Sequence, residues 1–522
     1  MKVILKNYFY YLIFFYTIIL IFLSLNVGIT HDEPHHYSVW LINKKIYSNY
    51  LLGTNYEILF SDFGMNFYGI GFQVFSIPFS FILNLITSNI DFLSNTNILI
   101  GKHPAIIFLF IISGIYLKKI INFITNDKFF SEICSIFFLS YPYILGHSFF
   151  NTLDVPFMSV WLICTYYIIK ISSLFLHTKM ISIKHVIYLA LLSGFLLSIR
   201  ISGVLIFFEY LIFLIFTLNN SGVSILKFIK NNYKKIILFL FIMSLLFISL
   251  HPNYWNDFSK IYYSIFYMGQ HIQTVCTLTL GMCMKAQNLP SSYIPIWLFF
   301  KLPVLILFGL LIFPIIEKKI FSNKKNIIIL GSLLSSCIFI ILSLIFLNVN
   351  LYDELRQILF LIPIIFIVSM YFLFCFSRRL SLVLISSFII FFLIQNIKIF
   401  PYNYIWLNNF SSFTKINNIF ELDYWGVSTK NVANFIKSKN IKSDECIISN
   451  RNDGIKIFLQ NNICLKKLNE LHEKNLRPFY VALVERGLKK GLPNNCTNIH
   501  NESFKINFSD EKIIVAKVFK CD

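Results

Sequence analysis

The stretch FYGIGFQVFSIPFSFILNLI, residues 67–86, decides how this chain is threaded. It has the length and apolar character of a membrane span. If it crosses a bilayer alone, every later loop inverts, and pairs such as Lys118–Lys119, Lys234–Lys235, Lys318–Lys319 and Arg378–Arg379 face outward. That contradicts the tendency of basic residues to stay on the cytoplasmic side. If it lies in the interface or re-enters, an N-terminus inside keeps Lys2, Lys6, Lys118, Lys119, Lys128, Lys170, Lys179 and Lys184 inside. Lys227, Lys230, Lys234, Lys235, Lys318, Lys319, Lys324, Lys325, Arg378 and Arg379 follow on the same side. The pattern then holds through every turn. The stretch is expected to be a helix lying in or dipping into the interface, within a first outer loop of about 28–103.

Composition agrees with a membrane chain. Of 522 residues 57% are hydrophobic and only 13% charged, with a mean hydropathy of +0.69; a soluble globule carries about 25% charge. The net charge of +20 sits in short clusters between apolar runs, as topology determinants do, with no basic helix face of the kind that grips nucleic acid. The expected partners are membrane lipids and lipid-linked molecules. Spans are expected at about 8–27, 104–117, 129–146, 156–175, 185–199, 201–218, 236–251, 294–315, 326–348, 355–376 and 380–397, about eleven transmembrane helices in all. The first lacks a small-residue cleavage site and is read as an uncleaved span.

From about residue 401 to 522 the charge is mixed, and a small α/β domain on the outer face is expected. Ser428 is a candidate helix cap, with Val432, Phe435 and Ile436 on one helix face. ECIIS, RPFYVALV and EKIIVAKVFK read as strands. Cys134, Cys164, Cys337 and Cys375 fall singly in apolar spans, as small buried hydrophobes. Cys276, Cys283, Cys446, Cys464, Cys496 and Cys521 all fall outside the spans. Disulfides within the 276–283 loop and within the tail suit an oxidising compartment.

The polar residues collect on the outer side, in THDEPHH (30–36), HSFFNTLDVP (147–156), HPNYW (251–255), a long loop of about 252–293, and LYDELRQ (351–357). A zinc-protease site would need His-Glu-x-x-His on one helical face. Here Asp32 follows His31, and Pro34 interrupts any helix across the motif. His31 with His35 or His36 is the remaining metal-binding combination; no metal or other cofactor is expected. Asp32 and Glu33 can instead cap the helix that Pro34 starts, one capping and the other working.

Transfer of a sugar from a lipid phosphate suits such a set. The leaving phosphate is already a stable anion, so no acid has to protonate it. One carboxylate base takes the acceptor's proton, and fixed positive charge holds the departing phosphate. The candidate carboxylates are Asp32, Glu33 and Asp154. Arg200 lies between two apolar runs, an expensive position unless paired or functional. Arg356 is at a span's outer end, with His103, Lys285 and Lys301 near others. His31, His35, Asn151 and Tyr352 are candidates for holding substrate. The Tyr and Trp of HPNYW, YIPIW and DYW are read first as interfacial belt residues, and Asp423 as a structural contact of the tail.

At these residues the chain resembles the GT-C superfamily of polytopic glycosyltransferases, and more narrowly the glycosyltransferase family 39-like group of protein O-mannosyltransferases and aminoarabinose transferases. Members carry an acidic pair in the first outer loop directly after span one, here Asp32 and Glu33. They carry further polar residues after span three, here Asn151 and Asp154. The related bacterial form of that loop is Asn-Pro-Lys-Asp-x-Pro, from which Thr152 and Leu153 depart. LPSSYIPIWLFFKLP (289–303), LYDELRQILFLIP (351–363) and ELDYWGVSTK (421–430) extend the likeness along most of the chain. The resemblance implies a GT-C-like transmembrane catalytic domain over 1–400. It also implies a polyprenyl-phosphate sugar donor and an inverting transfer to a lipid, glycan or protein acceptor. Asp32 would act as base, with Glu33 or Asp154 orienting; Arg356, with Arg200 or His103, would hold the phosphate. The segments 67–86 and 252–293 would close over the donor. Two other functions remain open on sequence: a transporter or flippase of a lipid-linked sugar, and a non-catalytic assembly subunit. Clean apolar spans and loop-concentrated polar groups argue against the first.

Overall fold

The first apolar run forms helix α1, Tyr8–Asn26. Phe9, Ile13, Leu20 and Ser24 are buried, while Phe14, Phe15 and Phe22 are exposed, the all-round apolarity of a helix at a bundle's lipid-facing edge. The computed structural model describes residues 8–53, 67–87, 96–255, 257–270, 274–321, 324–439, 445–459, 464–468, 479–484, 486, 488, 495–507 and 511–521. Parts of the expected first loop (54–66 and 88–95), and Lys2 and Lys6, lie outside them.

Directly after α1 comes a polar helix, α2 (Asp32–Leu51), and then the deciding stretch, a 17-residue helix Gly71–Thr87. The bundle continues through α3 (His103–Thr125), the pair Lys128–Ser140 and Pro142–Ser148, α4 (Asp154–Thr178), α5 (Ile183–Ile199), α6 (Ile206–Ser221) and α7 (Ile225–Ser249). After α8 (Tyr293–Lys301) and Val304–Leu311 it closes with Lys324–Phe346, Ile362–Phe376 and Arg378–Ile399. Among the described residues, eight helices are long and apolar enough to cross a membrane, or up to ten if each of two bent pairs is one span. The expected crossing 185–199 is the shorter apolar helix α5.

Two expected spans are broken rather than straight, and proline explains both. Tyr141 is extended before Pro142, and the helices on either side meet at 64°. Leu302 and Pro303 are extended, and α8 meets Val304–Leu311 at 114°. Proline disfavours helical geometry at the residue before it and cannot donate to the preceding turn. At the second break Asn408 satisfies the freed carbonyl of Leu302 with its side-chain amide at 2.9 Å.

The lysine-rich ends of the helices share one end of the bundle. Lys170 and Lys325 both lie over the Phe123 ring, at 4.4 and 3.5 Å, and Arg378 pairs with Asp127. The opposite ends gather the acidic loops. There, residues between 402 and 427 pack into the helical core through Tyr404, Trp406, Phe420 and Trp425. The approach is close: a Cβ on Gly146 would come within 2.0 Å of the Tyr404 nitrogen.

A mixed five-stranded sheet follows in the order β4-β3-β5-β7-β6, with β3 Cys446–Ser449, β4 Cys464–Lys467, β5 Phe479–Val484, β6 Cys496–Phe504 and β7 Ile513–Cys521. The two strands not anticipated from sequence, β4 and β6, are its edges. Helix Thr429–Ser438 buries Val432, Ala433 and Ile436 against Ile447, Ala482 and Val518. Ser428 does not cap it; its hydroxyl donates to Asp423 at 2.5 Å instead. Disulfides join Cys276–Cys283, Cys446–Cys464 and Cys496–Cys521, while Cys134, Cys164, Cys337 and Cys375 are free.

Candidate active site

Adjacent on the chain, Asp32 and Glu33 have different surroundings. Glu33 turns inward and is buried. Its Oε1 accepts the Thr30 backbone N–H at 2.7 Å and the Thr30 hydroxyl at 2.9 Å, the backward reach of a capping-box glutamate. Its Oε2 meets His103 Nε2 at 2.9 Å, and His103 Nδ1 lies 2.9 Å from the Ser24 carbonyl. Both nitrogens of this buried ring are occupied. His103 ties the end of α1 to the start of α2 and has no atom facing an outside anion.

Asp32 turns the other way, into a cationic setting, and its side chain is 29% exposed. Its Oδ2 accepts from Arg356 Nη1 at 2.9 Å, and its Oδ1 lies 3.3 Å from His31 Nδ1. The Arg356 guanidinium lies between two rings, Tyr352 at 4.8 Å and Trp425 at 4.5 Å. Stacking of a planar cation between aromatic faces fixes its orientation. Its Nη2 reaches Asp353 at 3.3 Å, and Asp353 also pairs with Arg486 of the C-terminal segment. Trp425 closes the set by accepting the His31 N–H at its carbonyl, 3.1 Å away.

The loop that presents Arg356 is strained. Asp353 and Glu354 have φ of 55° and 66°, a region that costs non-glycine residues about 1–3 kcal/mol each. What holds them is specific. The Asp353 N–H donates to the Thr277 hydroxyl at 2.9 Å, the Tyr293 hydroxyl donates to the Glu354 carbonyl at 3.3 Å, and Lys301 at the end of α8 pairs with the Glu354 carboxylate at 2.7 Å. Lys301 and Glu354 are both fully enclosed.

A second acid–cation pair lies alongside. Asp154, at the N-terminus of α4, accepts from Arg200 at 2.6 Å and from the Asn151 side-chain amide at 3.1 Å. Asn151 also accepts the Asp154 N–H at 2.8 Å, which sets the first turn of the helix. His36 Nδ1 meets the Thr152 hydroxyl at 2.8 Å, and the His35 and His36 rings pack on Tyr68. Lys285 is exposed, opposite Cys276 in the hairpin β1–β2 (Cys276–Thr279 and Met282–Lys285). None of the described contacts ties it to the Asp32–Arg356 pair.

Electrostatics separate these groups. Burial raises the Asp32 carboxyl, but the charges of Arg356, His31 and His36 outweigh it and hold the group below the usual carboxylate range. Burial lowers His31 and pushes His36 down to about 4, against the pull of Asp32. Both imidazoles carry charge, and so lower Asp32, only at acid pH. Burial raises the Tyr352 phenol, with Arg356 opposing.

Lys102 was passed over in the sequence and belongs to this end of the molecule. It directly precedes His103, is 4% exposed, and its Nζ has no hydrogen-bond partner. It lies 5.0 Å from the centre of the Tyr37 ring and feels the charge of Glu33. A buried ammonium without a bonded partner is costly. Its sequence signal was its position, a cation at the mouth of a span on the side where cations are scarce.

Beside Asp32 opens a cleft of about 420 Å³ between the two parts of the chain, walled by His31, His35 and Trp425 and by Arg451, Asn452 and Lys467 of the sheet domain. Among the described residues no group of three His, Cys, Asp or Glu side chains converges as metal ligands.

Two solved structures share this architecture. Both are of ArnT from Cupriavidus metallidurans, one bound to undecaprenyl phosphate and one in the apo state. Each superposes with a TM-score of 0.50 at 10% sequence identity; 98% of this chain and 98% of that chain match in the first, 99% and 98% in the second. At this identity the likeness is one of fold, and the polytopic helical architecture with a small C-terminal sheet domain expected from the sequence is the one found. No family model matches the chain. No curated protein matches it either.

Proposed function

We propose, from the premise of a GT-C-like membrane fold, that this protein is a glycosyltransferase. It moves a sugar from a polyprenyl-phosphate donor to an acceptor nucleophile at the extracytoplasmic face, with inversion. The observation that carries the proposal is the pairing of Asp32, from the first loop, with Arg356, 324 residues further along the chain, at 2.9 Å. A cleft opens beside Asp32, and the buried Lys102, whose Nζ has no hydrogen-bond partner, lies within electrostatic reach of Glu33 and His36. The fold is shared with a protein whose solved structure holds undecaprenyl phosphate.

In this scheme the donor phosphate takes the place of the Asp32 carboxylate on Arg356, with Lys102 supplying further positive charge. Asp32 loses its closest cation, its proton affinity rises, and it becomes a competent base when donor is present. It takes the proton of the acceptor hydroxyl or amine as that atom attacks the anomeric carbon. The bond from the anomeric carbon to the phosphate oxygen breaks, and polyprenyl phosphate leaves with the bonding pair, held by Arg356 and Lys102. One displacement gives inversion. Asp154, fixed by Arg200 and Asn151, shapes the neighbouring wall.

Replacing Asp32 with Asn tests this. Turnover of a polyprenyl-phosphate sugar is expected to fall by about 10²–10⁴-fold, with donor binding retained. A flippase would still move the intact lipid across vesicles, and an assembly subunit would be indifferent; either result overturns the proposal. Mass spectrometry of the lipid-linked sugars that accumulate in a deletion strain identifies the sugar.

A further inference from the structure

At the lysine-rich end of the bundle lies a cavity unrelated to the acidic loops. It measures about 360 Å³ and sits between α4, α5, α6 and α7. Its walls include Ile168 and Phe175 of α4, Leu214 of α6 and Phe239 of α7. Ile168 and Phe175 stand 14 and 21 residues along α4 from Asp154. At 1.5 Å per residue the cavity lies roughly 21–32 Å from the candidate active site, near the other membrane boundary.

Its lining is almost wholly apolar, and its charge lies at the rim. Lys235 is part of its wall, where the charged first half of α7 gives way to an apolar second half. Around it Lys179, Lys184, Lys227, Lys230 and Lys234 are exposed. From residue 155 to residue 256 the sequence holds a single acid, Glu209, and that carboxylate is buried and bonded to Trp161 at 2.7 Å. The rim is cationic and its own elements supply no surface anion to balance it. Thr217 also lines the cavity, is 3% exposed, and its hydroxyl has no partner in the protein.

We infer that this cavity binds one anionic glycerophospholipid, with an acyl chain between Phe175, Leu214 and Phe239 and the phosphate at Lys235. Basic pockets between membrane helices recognise anionic headgroups in this manner. The site is separate from the proposed transfer reaction and stands whether or not that reaction is correct.

Native mass spectrometry of the full chain in uncharged detergent reads occupancy directly, during titration with phosphatidylglycerol, phosphatidylcholine of the same chains, undecaprenyl phosphate and inorganic phosphate. One phosphatidylglycerol is expected to bind in preference to phosphatidylcholine. Lys235→Glu should weaken it roughly tenfold or more, Lys235→Arg should retain it, and Leu214→Trp, which fills the cavity, should exclude it with the charges intact. The inference is overturned if both phospholipids bind alike, if Lys235→Glu or Leu214→Trp keeps phosphatidylglycerol at wild-type occupancy, if undecaprenyl phosphate displaces it, or if inorganic phosphate competes it away.

Discussion

Asp32 is under two opposing influences: burial, which raises a carboxyl pKa, and the charges of Arg356, His31 and His36, which lower it and win. The group is therefore ionised at every pH above the ordinary carboxylate value of about 3.9. The acid limb of kcat/KM, which reports the free enzyme, is expected below about pH 4. In Arg356→Gln the largest lowering charge is gone while burial remains, so that limb should move upward; a pH–rate profile of both proteins measures the shift. An unmoved limb would mean that this ion pair does not set the base. The cluster was legible in the sequence because two acids beside three imidazoles after an apolar run are unusual. Which acid turns inward was not legible, since that depends on His103 lying 2.9 Å from Glu33 across a gap of 70 residues. Nor was Trp425 readable as an arginine-stacking wall: a tryptophan near a membrane boundary carries no mark of the cation it will meet.

The breaks at Pro142 and Pro303 show what a hydropathy window misses at the level of the helix. Apolar length located the spans, because lipid-facing and core-facing residues are alike in character. It could not register a bend, since the bend depends on a proline acting with the groups that satisfy the opened backbone. The second break brings Lys301 to Glu354 in a fully enclosed pair. Removing one partner of such a pair leaves an uncompensated buried charge and costs about 3–5 kcal/mol, whereas replacing both with apolar side chains is often neutral. Lys301→Met is accordingly expected to lower the thermal unfolding midpoint sharply, and Lys301→Met combined with Glu354→Leu to recover most of it. If the double variant is no better than the single one, the pair has a role beyond charge compensation.

For the whole molecule, the threading that the 67–86 stretch decides makes a mapping prediction. A cysteine introduced at Asn498, exposed on β6, should react with a membrane-impermeant maleimide on intact cells. One at Leu226, on the lysine-rich end, should react only after permeabilisation. The three disulfides belong to the same picture. Loss of the Cys446–Cys464 link, which spans 18 residues, through Ser replacements at both positions is expected to cost about 3 kcal/mol in the sheet domain, read as earlier unfolding or proteolysis. Domain order was visible as a change in charge density near residue 400, but the depth to which 402–427 enters the helical core was not, because those residues look like any aromatic linker until their partners are known. That depth has a consequence for biosynthesis. Trp425 covers Arg356 and its carbonyl takes the His31 N–H, so a ribosome must translate past Trp425 before the first loop acquires its lid. A nascent or prematurely terminated product ending short of that tryptophan inserts into the membrane with its pocket unfinished.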